Sequence, residues 1–265
     1  MKVVLFCGGM GMRLRDYSET IPKPLVPIGQ RPILWHLMKY YSHFGHREFI
    51  LCLGYRAEAI KNYFIDYDER LTNDFRMRGD GRALELLGND IADWSITFVD
   101  TGLDANIGTR LQAVKPHLEA EDCFLANYAD GLSDLDLDAY LARFRAGGRI
   151  ASLVSVVAPQ TFHLVESGPD RLVRGMRHVS RSDVRVNGGF FAFRREIFDY
   201  MKAGEELVEE PFQRLIDAGQ LEAHDHDGFW LAMDTFKDKS QFEDLVRRGE
   251  TPWQVWRSGP RRADT

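Results

Sequence analysis

Cysteine is scarce in this sequence, and long apolar runs are absent. The three cysteines are Cys7, Cys52 and Cys123, an odd number without the close pairs that a zinc site needs. Each lies in an apolar segment, so we expect three buried thiols. No apolar stretch reaches the roughly 18 residues of a membrane span, and the first run is too short for a signal peptide. We therefore expect a cytoplasmic protein with no membrane partner.

Positive charge is also in deficit, because 34 Lys and Arg face 40 Asp and Glu, a net charge of −6. Non-specific nucleic-acid binding needs a basic surface, so we expect no nucleic-acid partner. The composition, with 44% hydrophobic and 28% charged residues, excludes a disordered or collagen-like chain. A chain of 265 residues is long enough for one large domain. We predict a single domain over residues 1–256 and a disordered tail over residues 257–265.

Short apolar runs alternate with helix-periodic segments along most of the chain. This alternation predicts an α/β fold, with a mostly parallel, Rossmann-like sheet flanked by helices. Residues 66–93 form a polar excursion, and Gly189–Phe193 has a strand-like pattern. The other predicted strands are Lys2–Cys7, Glu48–Leu53, Ser95–Asp100, Cys123–Tyr128 and Ile150–Val157. The predicted helices are Pro32–Phe44, Ala57–Phe64, Asp136–Phe144, Pro211–Ala218 and Lys237–Arg248.

A glycine-rich loop follows the first predicted strand. Gly8, Gly9 and Gly11 fall within four positions, which lets the backbone approach a ligand and point its N–H groups at it. The loop lacks the third glycine of the dinucleotide-binding fingerprint and the Gly-Lys-Ser/Thr of a Walker A loop. It is followed by Arg13 and then by Lys23, which stands between two prolines that restrict the backbone. Together these residues predict a phosphate-binding loop with two cations.

Two aspartates follow apolar segments in positions suited to metal binding. Asp130 comes directly after a predicted strand, at the edge where parallel sheets bind ligands. Asp234 ends an apolar turn and could equally be the N-cap of the next helix. Two such carboxylates beside bound phosphates would suit Mg²⁺, which prefers oxygen ligands. Asp134, Asp136 and Asp138 alternate with leucines and predict a capped, solvated helix start.

Several motifs occur in the order found in one known family. Gly-Gly-x-Gly-x-Arg-Leu at residues 8–14 precedes Pro-Lys-Pro at 22–24. Later come Val-Asp-Thr-Gly at 99–102, Tyr-Ala-Asp-Gly at 128–131, Asn-Gly-Gly-Phe-Phe at 187–191, Gly-Phe-Trp at 228–230 and Met-Asp-Thr at 233–235. On these motifs the chain resembles the sugar-1-phosphate nucleotidyltransferases over residues 1–256, and among them the glucose-1-phosphate cytidylyltransferases.

The resemblance implies an enzyme that transfers a nucleotidyl group from a nucleoside triphosphate, CTP above all, to a sugar 1-phosphate. Arg13 and Lys23 would act on the phosphates during catalysis, while Asp130 and Asp234 would hold Mg²⁺. Asn187 and Gly188 would face the sugar. The nucleotide-binding residues would be Gly8, Gly9, Gly11, Arg13 and Arg110. The family also implies a homo-oligomer.

The chain departs from the family pattern mainly on the sugar side. The family lysine that precedes Asn-Gly-Gly is absent, and Arg177, Arg181 and Arg185 are its candidate replacements. Thr-Phe-His-Leu at 161–164 replaces an Arg-Phe-Gly loop, whereas the nucleotide side changes chiefly at Met12, where the family has threonine. These clustered changes suggest the hypothesis that the acceptor is a sugar phosphate other than glucose 1-phosphate.

Three alternatives stay open at this point. The base could be uracil or thymine, because base choice depends on a few backbone contacts. A nucleotide-binding regulator that has lost catalysis would not need to keep Arg13, Lys23 and both aspartates. A glycosyltransferase would show an Asp-x-Asp motif after a strand, but Asp134-Leu135-Asp136 stands at a predicted helix start.

Overall fold

A sheet of eight strands forms the centre of the computed structural model, which describes residues 1–9, 21–79, 81, 83–158 and 162–257, except the side chain of Ser180. The strands are β1 (Val3–Phe6), β4 (Glu48–Leu53), β7 (Ser95–Asp100), β8 (Cys123–Tyr128), β10 (Ala151–Val157), β13 (Arg185–Asn187), β14 (Phe191–Arg194) and β15 (Leu221–His226). Their spatial order is β13-β10-β14-β8-β1-β4-β7, with β15 paired to β10.

Shorter strands form two-stranded sheets outside this centre. They pair as β2 (Pro27–Ile28) with β3 (Arg31–Pro32), β5 (Phe75–Arg78) with β6 (Ala83–Leu86), β9 (Gly131–Ser133) with β16 (Trp230–Ala232), and β11 (His163–Ser167) with β12 (Val173–His178). The α-helices are α1 (Ile33–His43), α2 (Ala57–Ile65), α3 (Ile107–Ala113), α4 (Leu137–Gly147), α5 (Glu210–Asp217) and α6 (Phe236–Arg248).

The predicted mostly parallel arrangement is confirmed around β1. Strand β1 pairs in parallel with β4 and β8, and β4 pairs in parallel with β7, whereas β14 pairs antiparallel with β8 and β10. The residues of β1 are buried on both faces, which is why the run is apolar throughout. Val3 and Leu5 pack in the core that contains α1, and Val4 and Phe6 pack in the core that contains Leu111 of α3.

The predicted elements are present with small shifts at their ends. Three strands, at 48–53, 95–100 and 123–128, have the predicted bounds. Helix α3 was not predicted, because it is only seven residues long and carries a short apolar pattern. The excursion at 66–93 contains the hairpin β5–β6. Strand β14 begins two residues later than predicted, because Gly189 and Phe190 have positive φ angles of 76° and 48°.

Two further expectations concern the thiols and the end of the chain. Cys7 and Cys52 are buried as predicted and Cys123 is half-buried; burial raises the pKa of Cys52 to about 12. Arg257 ends a short 3-10 helix, Val255–Arg257, and the rest of the predicted tail lies outside the described residues.

Among the described residues, no helix is both long and apolar enough to cross a membrane.

Helix α3 sits so close to the 205–207 segment that Gly108 has no room for a side chain. A Cβ on Gly108 would overlap the backbone carbonyl of Glu205 and approach the amide nitrogen of Leu207 to 3.1 Å. We expect Gly108→Ala to destabilise the fold by about 1–3 kcal/mol, because a backbone clash outweighs the gain of up to about 1 kcal/mol in helix propensity. Urea unfolding measures this.

Gly88→Ala is the matched control for that variant. A Cβ on Gly88 would make only an ordinary contact, 3.6 Å from Asn73 Oδ1. A Gly108→Ala protein as stable as Gly88→Ala would contradict the tight packing of α3.

Candidate active site

A short antiparallel ladder brings the two predicted carboxylates together. Asp130 follows β8, and Asp234 comes two residues after β16. Strands β9 and β16 pair with Gly131 opposite Ala232, and the Met233 amide donates to the Asp130 carbonyl at 2.9 Å. Aspartates more than one hundred positions apart therefore stand side by side at the carboxyl edge of the parallel strands.

Lys23 lies between these two carboxylates. Its Nζ donates to Asp130 Oδ2, and it donates to Asp234 Oδ1 at 2.7 Å. Pro22 and Pro24 flank it, and Lys23 opens the 3-10 helix Lys23–Leu25. The prolines predicted a restricted backbone, and the structure has a turn there that presents Lys23 to the two aspartates. The Lys23 side chain is only 14% exposed.

The electrostatics of the lysine follow from this position. Burial alone would lower the pKa of Lys23, but the charges and hydrogen bonds of Asp130 and then Asp234 outweigh it, so the pKa is raised. Lys23 therefore stays an ammonium at neutral pH.

The alternative role of Asp234 as a helix cap is wrong, because Thr235 caps α6 in a capping box with Asp238.

The donor set fits a hard divalent cation that shares its coordination with a ligand. The oxygens of Asp130 and Asp234 converge on one positive group, the Lys23 ammonium. Within the described residues, no cluster of three or more His, Cys, Asp or Glu side chains could hold a metal alone. Two carboxylates completed by phosphate oxygens and water match the coordination that Mg²⁺ usually has.

Arg110 ties together the loops at the same sheet edge. It is 3% exposed, and its guanidinium donates to the carbonyls of Gly8 at 3.1 Å, Leu53 at 3.1 Å and Gly102 at 3.0 Å. It also bonds the Thr101 hydroxyl at 2.7 Å. These groups follow or end β1, β4 and β7. Arg110, which we predicted to bind the nucleotide, thus holds in place the start of the glycine loop.

The glycine loop is described only at its beginning. A Cβ on Gly8 would overlap the Arg110 guanidinium, whereas a Cβ on Gly9 would have no atom of the described residues within 4 Å. Gly8 is therefore required for packing against Arg110, a role that the sequence did not indicate. Gly11 and Arg13 lie outside the described residues.

The predicted sugar-facing residues lie where β13 ends: Asn187 is its last residue, and Gly188 begins the turn to β14, in which Phe190 has a positive φ angle of 48°. The Asn187 side chain accepts from the Gly189 amide at 2.9 Å, and Asn127 Oδ1 accepts from the Phe190 amide at 3.0 Å. Trp230 Nε1 donates to the Gly188 carbonyl at 2.8 Å. The Asn-Gly-Gly and Gly-Phe-Trp motifs are therefore joined, and through β16 the turn is connected to Asp234.

The three arginines proposed as replacements for the family lysine have different surroundings. Arg185 donates to Ser155 Oγ at 2.9 Å and to Asp227 at 2.8 Å, so it anchors β13. Arg177 forms an exposed ion pair with Glu166 at 3.3 Å. Arg181 has neither a hydrogen bond nor an ion pair with another residue in the described part of the chain. The three arginines therefore differ in how many of their N–H groups are already bonded within the protein.

A histidine that sequence analysis did not single out holds the turn before Trp230. His226 Nε2 lies 3.0 Å from Asp134 Oδ1 and 3.2 Å from Ser133 Oγ. One ring nitrogen makes both contacts, so this is not a catalytic triad, in which the serine and the acid bind opposite nitrogens. Asp134 also accepts from the Phe229 amide at 2.8 Å. This pair therefore positions the strand that leads to Asp234.

Two surface cavities lie away from this cluster. One, of about 260 Å³, is lined by Lys2, Glu48 and Ser95, at the amino ends of β1, β4 and β7. The other, of about 530 Å³, is lined by charged residues including Lys115 and Arg195. Neither adjoins the converging carboxylates, so we place the candidate site at the carboxyl edge on chemistry rather than cavity size.

The sequence is similar to known nucleotidyltransferases over nearly its full length. Residues 2–244 match the profile of the family described as nucleotidyl transferase. The glucose-1-phosphate cytidylyltransferase of Salmonella typhimurium is 36% identical over 258 residues, which cover 97% of this chain and 100% of that protein.

Solved structures show the same fold at lower identity. HddC from Yersinia pseudotuberculosis superposes with a TM-score of 0.67 at 18% identity, covering 92% of this chain and 99% of that one. A UDP-glucose pyrophosphorylase complexed with UDP-glucose gives a TM-score of 0.68 at 12% identity, covering 94% and 98%. At such identities the likeness concerns the fold alone.

The position of Lys23 predicts a competition between its ammonium and a metal ion. We expect Lys23→Met to bind Mn²⁺ at least about tenfold more tightly without nucleotide, because the two aspartates lose their shared counter-charge. Electron paramagnetic resonance of the nucleotide-free protein measures bound Mn²⁺. Lys202→Met, at an exposed position, is the control. Equal Mn²⁺ affinity in Lys23→Met and the wild type would contradict this competition.

The His226–Asp134 contact predicts a pH-dependent stability. Burial lowers the pKa of His226, but hydrogen bonds to Asp134 and the Phe229 carbonyl, with the charge of Asp227, raise it overall. A raised pKa stabilises the fold below the unfolded value near 6.5, and this stabilisation is lost as pH rises through the folded value. We expect His226→Gln to cost about 1–3 kcal/mol at about pH 6 and less at about pH 9.

Urea unfolding of both proteins at the two pH values checks this difference. His117→Gln, at an exposed position, controls for the loss of a histidine. A stability gap that stays constant or widens with rising pH would show that the protonated imidazole contributes nothing.

Proposed function

The chain belongs to the nucleotidyl transferase family, and we propose that it transfers a cytidylyl group from CTP to glucose 1-phosphate or a related sugar phosphate. The products would be a CDP-sugar and pyrophosphate. The base and acceptor follow from the Salmonella typhimurium relative, whose similarity extends along 97% of this chain. The observation that carries the proposal is the convergence of Lys23, Asp130 and Asp234 at one sheet edge.

The reaction joins two anions, so the site must supply positive charge. An oxygen of the sugar phosphate attacks the α-phosphorus of CTP, the bond from this phosphorus to the bridging oxygen breaks, and the electron pair leaves with pyrophosphate. Lys23, an ammonium at neutral pH, would contact the reacting phosphate and stabilise its charge. Arg13 would contact the departing phosphates. No covalent nucleophile is needed.

Members of the family generally use a divalent metal ion, and we propose Mg²⁺, held by Asp130 and Asp234. When bound, Mg²⁺ would neutralise phosphate charge and favour departure of pyrophosphate. Lys23 now bonds both carboxylates, so it would turn from them towards a phosphate as the aspartates take up the ion. The chain's own part is to keep both aspartates side by side through the β9–β16 ladder.

We extend the proposal to the organisation of the chain. Residues 1–256 would form one catalytic domain, with Gly8, Gly9 and Gly11 near the nucleotide and Asn187 and Gly188 near the sugar. A homo-oligomer is supported by the hairpin β5–β6. Its cross-strand pairs place four apolar side chains on one exposed face, those of Phe75, Met77, Leu84 and Leu86.

Pyrophosphate release tests the proposal. The protein is incubated with Mg²⁺, glucose 1-phosphate and each of CTP, UTP, dTTP, ATP and GTP in turn. We expect release with CTP, and a loss of on the order of 100-fold or more in Asp130→Asn and Asp234→Asn, because each removes a charged metal ligand. Asp138→Asn, at an exposed position of α4, is the control.

Other outcomes would change specific parts of the proposal. Pyrophosphate release with UTP or dTTP alone would change the assigned base to uracil or thymine, and the assigned reaction, nucleotidyl transfer, would stand. If no nucleotide gives pyrophosphate release, with glucose 1-phosphate or with other sugar phosphates, the result would support a regulator without catalysis. Full activity in either asparagine variant would overturn the assigned metal ligands.

A further inference from the structure

The indole nitrogen of Trp230 lies between the two halves of the candidate site. Its N–H donates to the Gly188 carbonyl at 2.8 Å, and Gly188 directly follows Asn187. A Cβ built on Gly131, the residue after Asp130, would stand 3.8 Å from the same nitrogen. One side chain is thus bonded to the predicted sugar-facing turn and packed beside the residue that follows the first carboxylate.

The backbone of Trp230 leads directly to the second carboxylate. Trp230 is the first residue of β16, where it pairs with Ser133 of β9, and Asp234 stands four positions further along the chain. The ladder between β9 and β16 holds this whole strand, so a displacement of the Trp230 backbone is transmitted towards Asp234. The indole and the Asp234 carboxylate are therefore carried by the same short segment.

Contacts at the entry to β16 hold the Trp230 backbone in place. Asp134 Oδ1 accepts from the Phe229 amide at 2.8 Å, and the Asp134 amide donates to the Phe229 carbonyl at 3.1 Å. The Ser133 hydroxyl donates to the same carbonyl at 2.8 Å. A Cβ on Gly228 would overlap the Asp134 carboxylate, so the turn is closely packed. The indole of Trp230 therefore projects from a backbone with a defined position.

The turn that accepts this hydrogen bond is held on its other side by β10. The Val154 carbonyl accepts from the Gly188 amide at 2.8 Å, and the Val154 amide donates to the Gly189 carbonyl at 3.0 Å. These bonds attach the turn to the central sheet. The indole N–H attaches it to the strand that leads to Asp234, so Trp230 connects two parts of the site that come from distant segments of the chain.

We propose that Trp230 is a positioning residue for nucleotidyl transfer, whose indole sets the sugar-facing turn against the two metal-binding carboxylates. The inference rests on the proposed function, which assigns the sugar to Asn187 and Gly188 and the metal ion to Asp130 and Asp234. In-line attack requires the sugar phosphate oxygen and the α-phosphorus to be aligned, and a small displacement of either lowers the rate strongly. Because its N–H is already bonded to the Gly188 carbonyl, Trp230 acts through the turn.

Steady-state kinetics of Trp230→Phe tests this role, since phenylalanine keeps an aromatic ring and lacks the N–H. We expect kcat/KM for glucose 1-phosphate to fall by about tenfold, as for loss of one hydrogen bond and a misplaced turn. KM for CTP should change by less than about twofold, because the nucleotide side keeps its contacts.

Trp94→Phe is the matched control. Trp94 is half-buried like Trp230, and its Nε1 donates to Ser42 Oγ at 3.0 Å. It stands directly before β7, at the amino edge of the sheet and therefore away from the candidate site. Both variants lose one indole hydrogen bond, so a general loss of stability would appear in both. Equal kcat/KM for glucose 1-phosphate in the two variants would contradict the positioning role.

A second measurement follows the Trp230 ring in the intact protein. The chain has five tryptophans, so labelling with fluorotryptophan gives five signals in fluorine NMR spectra, of which Trp230→Phe or Trp230→Tyr removes one. Glucose 1-phosphate, and CTP with Mg²⁺, are titrated separately into the labelled wild type. Because the indole lies between the two halves, we expect each titration to shift the Trp230 signal. A signal that responds to one titration alone would place the ring in one half and overturn the proposal.

The two measurements together distinguish failure of this inference from failure of the proposed function. Pyrophosphate release with equal kcat/KM in Trp230→Phe and Trp94→Phe would overturn only the role of Trp230. A Trp230 signal that shifts in both titrations, in a protein that releases no pyrophosphate with any nucleotide, would support the link between the halves and overturn only the catalytic proposal. A signal that neither titration shifts, in a protein without pyrophosphate release, would overturn both.

Discussion

Two carboxylates held side by side at a sheet edge need a shared cation, and the candidate site is built around this requirement. The backbone ladder between β9 and β16 fixes the positions of Asp130 and Asp234. Their repulsion is offset by Lys23, whose own charge is favoured by the same two groups. The protein therefore carries within its fold the positive charge that its proposed substrates also need.

A second cation, Arg110, gives that edge its shape. Three parallel strands end in loops whose carbonyls face the Arg110 guanidinium, and the buried carbonyls of Gly8 and Leu53 require donors. The guanidinium supplies these donors to Gly8, Leu53 and Gly102 at once. Because each bond comes from one rigid planar group, the three loops cannot shift independently. A lysine, with one donating nitrogen, could not replace it.

The sequence predicted the parallel strands well, because strands buried on both faces produce continuous apolar runs. It also placed Lys23, Asp130 and Asp234 in one site, as the structure does. Roles that depend on packing between distant segments were not predictable. The bonds of Arg110 to three loops are an example, because they depend on how the ends of β1, β4 and β7 pack, and its contact with the nucleotide stays a prediction. Likewise, nothing local in the sequence indicated that His226 would meet Asp134.

The hydrogen bond between Lys23 and Asp234 joins positions 211 residues apart, which has a consequence for the order of folding. Contacts of such long range close late, because the whole intervening chain must first be arranged. During synthesis from the amino terminus, the parallel strands β1, β4, β7 and β8 emerge well before β16. A nascent chain can thus complete half of its central sheet while it still lacks Asp234. The cluster of Lys23, Asp130 and Asp234 would be assembled only after nearly all of the chain has left the ribosome.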